Sequence, residues 1–210
     1  MKKTAFLLCF AMLFIATSCN QVLSVFVLTT GVLRPKYQTT EKSIQWLEKK
    51  TGYHPEFFAI PKDKDTWEMM HDNKMYPVTR QFNRFGQEIS YDSVKICMGK
   101  AMNFGAQLGK EDLPVVYLPK EDIDDLRGNL KFVPEMVFDP VELGAEYDYA
   151  LFVFFYSGLI KPQIQDIRRV IDSTAANPYS KVAIIPVCVD GDKSLFKNRK
   201  EFRRCFFTIE

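Results

Sequence analysis

From position 149 the chain reads Tyr-Ala-Leu-Phe-Val-Phe-Phe-Tyr, a continuous apolar and aromatic run closed by Ser157 and Gly158. A run of this length, bounded by turn residues, predicts a strand buried on both faces. Pro162 follows, where a first helical turn tolerates proline because the missing N–H would be unpaired there in any case. Ile164, Ile167, Val170 and Ile171 then recur at helical spacing, with Gln165, Asp166, Arg168 and Arg169 between them. Asn177-Pro178 stops that helix. Residues 181–189 form a second apolar run, closed by Asp190-Gly191-Asp192. Strand, helix and strand in this order predict a βαβ crossover with the two strands as parallel neighbours.

Upstream the pattern is more broken. Thr40 precedes a helix with Ile44, Trp46 and Leu47 on its apolar side and Lys49-Lys50-Thr51-Gly52 at its end. The face carrying Ser43, Lys49 and Lys50 reads as solvated. Residues 62–73 repeat the helical spacing with Trp67, Met69 and Met70. Residues 77–91 alternate as a strand pair about a turn at Asn83-Arg84-Phe85-Gly86. A helix is expected over 94–108, a short strand over 113–118 and an acidic helical turn over 121–126. Pro134, Pro140 and Gly144 make 132–147 mostly loop.

The N-terminus adds a destination. Lys2 and Lys3 precede an apolar core over 5–16, and then comes Thr-Ser-Cys-Asn. Ala16-Thr17-Ser18-Cys19 resembles a bacterial lipobox, which implies lipidation of Cys19. An ordinary signal peptide, or an uncleaved anchor joined to the apolar run 22–33, fits the same residues. No acidic cluster follows Cys19, so the expected position is lipid-anchored in the cell envelope, facing the periplasm. The expected organisation is a signal peptide over 1–18, a tether over 19–36 and a folded domain over 37–210.

Charge and cysteines narrow the chemistry. Without Lys2 and Lys3 the 28 basic and 26 acidic residues balance, so no basic excess remains to attract nucleic acid. Of five cysteines, Cys9 leaves with the signal and Cys19 carries lipid. Cys97, Cys188 and Cys205 remain, with no Cys-x-x-Cys. Cys97 and Cys188 read as small core hydrophobes. Cys205 follows Arg203-Arg204, cations that would lower its pKa. His54 and His71 have no partners at metal spacing, so no metal or cofactor is expected. The acids 121–125 lack the alternating oxygens and sharp glycine turn of a calcium loop. Asp190-Gly191-Asp192 reads as a turn, but it ends a parallel strand, where ligand sites of α/β proteins collect.

Phe155-Tyr156-Ser157-Gly158-Leu159, followed by Ile160-Lys161-Pro162-Gln163, resembles the motif strand and helix start of thioredoxin-like proteins of the membrane-anchored redoxin type. Ile160 falls on the first cysteine of that motif, Lys161 and Pro162 on the middle pair, and Gln163 on the second cysteine. The segment ending at Asp190-Gly191-Asp192 and the hairpin over 77–91, ahead of the central strand, resemble further parts of the same fold. Gly31-Val32-Leu33-Arg34-Pro35-Lys36 resembles the opening of uncharacterised Bacteroidota lipoproteins. The implied fold is an α/β three-layer sandwich, either truncated at its C-terminus or completed by N-terminal elements such as 78–82 and 115–118.

Thiol–disulfide exchange needs an accessible thiolate and a resolving thiol, and Ile160 and Gln163 supply neither. The resemblance therefore implies a redox-inactive envelope lipoprotein with a binding or structural role. Its partners would be the membrane, through the lipid, and an envelope protein or peptide. The alternative is a thiol-disulfide oxidoreductase using Cys97 or Cys205.

Overall fold

The computed structural model describes residues 35–71, 78–91, 104–113, 115–133 and 145–208. Cys19, Cys97, the signal segment, the run 22–33 and most of the helix expected over 94–108 lie outside the described residues. The described chain is mixed α/β, with a seven-stranded sheet, a two-stranded sheet and five helices.

The predicted crossover forms the centre. Strand β7 (Tyr149–Phe155) runs parallel to β8 (Val182–Cys188), in register from Tyr149 opposite Val182 to Phe155 opposite Cys188. Helix α4 (Lys161–Ala175) joins them and buries Ile167, Val170, Ile171 and Thr174. Every β7 residue from Ala150 to Phe155 is buried, as a continuous apolar run between covered faces requires. Phe152 is fully buried and meets Phe82 edge-on, with ring centroids 5.5 Å apart.

Flanking strands come from the N-terminal half. On one side β3 (Val78–Asn83) pairs antiparallel with β7, then β4 (Gln87–Tyr91) with β3, then β5 (Val115–Asp122) with β4. The hairpin turn falls where the sequence places it. The Asn83 side-chain oxygen accepts from the N–H of Phe85 and of Gln87, each at 3.0 Å. Gly86 takes φ +78°, the left-handed conformation a three-residue hairpin loop needs. On the other side β2 (Phe58–Pro61) lies parallel to β8, and β6 (Leu130–Val133) antiparallel to β2. The sheet order is β5-β4-β3-β7-β8-β2-β6.

Two sequence expectations change here. Residues 58–61 and 130–133, one unassigned and the other partly read as loop, are both strands. The acidic turn starts later than expected: β5 continues through Asp122, and α3 spans Ile123–Asn129.

The remaining elements pack around this centre. Strand β1 (Tyr37–Gln38) pairs parallel with β9 (Gly191–Asp192), so the Asp-Gly-Asp segment is a short strand and not only a turn. Helix α1 (Thr40–Thr51) stops at Gly52, whose φ of +78° lets its N–H return to the Glu48 carbonyl at 2.8 Å. It buries Thr40, Ser43, Leu47 and Thr51, one face at helical spacing. Lys49 and Lys50 are solvated as expected, but Ser43 is not: it belongs to the buried face and has a polar partner there. Helix α2 (Lys64–His71) begins at Asp63, whose carboxylate accepts the Thr66 N–H at 2.8 Å. Trp67 is fully buried, donates its indole N–H to the Val189 carbonyl at 3.0 Å, and packs with Phe196, Phe202 and Cys205. Phe202 and Cys205 belong to α5 (Arg199–Thr208). No described helix is long and apolar enough to cross a membrane.

Candidate functional site

The helix start that carries the resemblance is well defined. Ile160 is the N-cap of α4, with extended backbone, and its carbonyl accepts the first intrahelical bond, from the Ile164 N–H at 3.1 Å. Gln163, at the third helical position, accepts the Ile160 N–H on its Oε1 at 3.2 Å. Isoleucine has no side-chain acceptor to return the contact, so this is half of a capping box. Lys161 and Pro162 are exposed in the first turn, and Ile160 itself is 39% exposed. Neither Ile160 nor Gln163 is a nucleophile or a resolving group.

Beneath the turn lies a polar centre. Asp190, 2% exposed, follows β8. Its carboxylate accepts the Lys36 N–H at 2.8 Å, the Gln38 Nε2–H at 2.8 Å and the Ser157 N–H at 3.2 Å, and the Cys188 Sγ lies 3.4 Å away. Gln38 Nε2 also lies 2.9 Å from Ser43 Oγ and 3.0 Å from Ser157 Oγ; with two hydrogens it serves two of its three acceptors at a time. Burial pushes the Asp190 carboxyl above its usual range, and the donors from Lys36 and Ser157 offset part of that. The centre joins the segment before β1, the start of α1, the turn after β7 and the end of β8. Its chemistry is that of a fastener, because the groups named bond to one another and tie four segments together.

The second acid of the segment, Asp192, faces outward into a cleft. It is 7% exposed and accepts from Thr40 Oγ1 at 2.7 Å, Ser194 Oγ at 2.7 Å and the Ser194 N–H at 2.8 Å. The cleft holds about 410 Å³, within the range of small-molecule sites. One wall is the start of α1 with Asp192, Lys193 and Ser194; the other is Ile60 with Lys131, Phe132 and Val133 of β6. It thus lies beside the carboxyl ends of parallel strands, the place such folds reserve for ligands. The Asp-Gly-Asp segment hinted at this cleft, but Lys131 and Lys193 carry no signal until β6 and β9 are known to border it, nor do Gln38 and Ser43 of the polar centre until β1 is known to pair with β9.

The two described thiols, Cys188 and Cys205, are both buried and unpaired with each other. Cys188 is 1% exposed, and burial with the nearby Asp190 carboxylate raises its pKa well above the ordinary thiol value. Cys205 overturns its expectation. Arg203 and Arg204 are exposed, whereas the thiol is packed in the Trp67 cluster, and burial raises its pKa despite the Lys64 ammonium beside it. Both are free thiols. His54 pairs with Glu48 at 2.8 Å, and among the described residues no three His, Cys, Asp or Glu side chains converge as metal ligands would. No protein-family model matches the chain, and no curated protein or solved structure is significantly similar to it.

Proposed function

We propose that this chain is a thioredoxin-like domain without redox chemistry, carried by a lipid-anchored protein of the bacterial envelope, and that it works by binding. The single observation that carries the reading is the α4 start, where Ile160 at the N-cap and Gln163 at the third helical position touch through the 3.2 Å hydrogen bond. These are the positions, on a helix opened by proline after a buried strand, that the two cysteines hold in the thioredoxin motif. The strand arrangement supports the same reading. Three parallel strands in the order β2-β8-β7 are followed by antiparallel β3 beside the motif strand.

The envelope location rests on the residues 16–19 and the apolar segment before them. Binding rests on what is left once thiol exchange is set aside: a rigidly fastened turn and an adjoining cleft. The buried, pKa-raised Cys188 and Cys205 count against an oxidoreductase built on either.

An insulin-reduction assay tests this directly, comparing the natural protein with a variant in which Cys97, Cys188 and Cys205 are all alanine. Both should stay at the uncatalysed background. Turnover in the natural protein that disappears in the variant would move the chain to the oxidoreductase reading.

A further inference from the structure

We infer that the cleft beside α1 is a binding site for a small zwitterion, a free α-amino acid with an apolar side chain. This rests on the reading of the domain as a binder, but not on its thioredoxin-like ancestry.

The argument is one of charge complementarity. Lys131 and Lys193 are both exposed on the lining, and neither has an ion pair among the described residues. Lys193 instead lies over the Tyr37 ring, 5.8 Å from its centroid. The same lining holds two carboxylates, Glu41 and Asp192, also without a cation partner among the described residues. A ligand carrying only negative charge would meet both carboxylates, and one carrying only positive charge would meet both lysines. A ligand with an ammonium and a carboxylate on the same carbon satisfies both signs with charge-assisted hydrogen bonds.

The helix start is not the anion site. The Glu41 carboxylate already turns back on the Thr39 hydroxyl and its own backbone N–H, which hold it below the ordinary carboxylate value. The ligand carboxylate is therefore left to Lys131 and Lys193. Asp192 is held rigid by Thr40 and Ser194, so its placement costs little side-chain entropy on binding. Ile60, Phe132 and Val133 supply an apolar surface for the side chain.

The test is calorimetric titration of the full chain with L-phenylalanine, L-leucine, N-acetyl-L-phenylalanine, which keeps only the negative charge, and L-phenylalaninamide, which keeps only the positive. The free amino acids should bind, and each blocked analogue should be weaker by about tenfold or more. Lys131→Gln and Lys193→Gln should weaken the free amino acids while leaving the melting temperature unchanged. Equal binding of the blocked analogues, no binding of any probe at millimolar concentration to folded protein, or full affinity in both lysine variants would each overturn the proposal. None of these outcomes bears on insulin reduction, which tests the domain reading separately.

Discussion

The backbone N–H of Ser157 points into the carboxylate of Asp190, 3.3 and 3.2 Å from its two oxygens. This contact ties the turn after β7 to the end of β8, directly ahead of the helix start at Ile160. Because Asp190 also accepts from Lys36 and Gln38, one buried side chain holds the entrance of the domain and the candidate site in a fixed relation.

Replacing that carboxylate should therefore be felt. Asp190→Asn puts an amide N–H₂ where one oxygen received donors, so a buried donor is left facing a donor. The expected loss is about 1–3 kcal/mol of stability. The pH profile should change as well. Burial raises the folded pKa of Asp190, so the folded state holds its proton more tightly than the unfolded chain, where aspartate titrates near about 3.9. Stability from this group is highest below that value and declines as pH rises to the folded pKa. Urea unfolding from about pH 4 to 7 should show that decline flattened in Asp190→Asn relative to the natural chain. Parallel profiles would mean that Asp190 does not titrate differently on folding.

Thiol reactivity offers a second check. Cys188 and Cys205 are buried, and both pKa values are raised, so the native protein presents little thiolate at either. Alkylation followed by peptide mass mapping should leave both unmodified in native buffer and modify both in denaturant. Rapid native labelling of Cys205 would show that α5 opens readily from the Trp67 cluster.

Gly191 is a position where a single methyl should matter. A Cβ built there would lie 2.2 Å from Cε2 of Phe202, a contact real structures do not tolerate. Gly191→Ala must displace the Phe202 ring, which packs edge-on against Trp67 with centroids 5.5 Å apart. Overpacking of this kind costs about 1–3 kcal/mol. Phe202→Leu on the same background should recover part of the loss; no recovery would place the strain elsewhere.

The centre of the fold was legible because β7 and β8 are covered on both faces and so read as continuous apolar runs. Helix α4 announced itself by Pro162 and its spaced isoleucines, and the β3–β4 hairpin by Asn83 and Gly86. Strand β2 was not legible: Phe-Ala-Ile-Pro is too short to display a period, and only pairing with Val187 and with β6 makes it a strand. Ser43 looked solvated because its burial is repaid by Gln38, a partner brought in by the β1–β9 pairing. Cys205 misled because adjacency in sequence to Arg203 and Arg204 says nothing about which side of a helix each occupies. Cleft residues such as Lys131 and Lys193 are ordinary surface lysines until distant segments set them around one space.

The envelope reading predicts a fractionation result. Cys19→Ala should move the protein out of the membrane fraction or leave it as an unprocessed precursor. Unchanged membrane association with cleavage elsewhere would point to an anchor other than lipid at Cys19.

The last prediction concerns the empty motif. Ile160 and Gln163 stand at the N-cap and third position of α4, on one face, where side chains three apart lie about 5–6 Å from each other at Cβ. A disulfide needs Cα atoms within about 4.4–6.8 Å, so Ile160→Cys with Gln163→Cys should close an intramolecular bridge under mild oxidation. The substitution gives up the Gln163–Ile160 hydrogen bond, about 0.5–1.5 kcal/mol, and little packing, because Ile160 is 39% exposed. In the reduced form the thiol at 160 would sit against the unpaired N–H groups and positive dipole end of a fifteen-residue helix, so it should titrate below the ordinary thiol value of about 8.5. Alkylation rate against pH measures this, with the single Ile160→Cys variant as a reference. Two thiols that stay reduced in a folded, oxidised sample would mean that these positions do not face each other across a helix start, and the thioredoxin-like proposal would lose its main support.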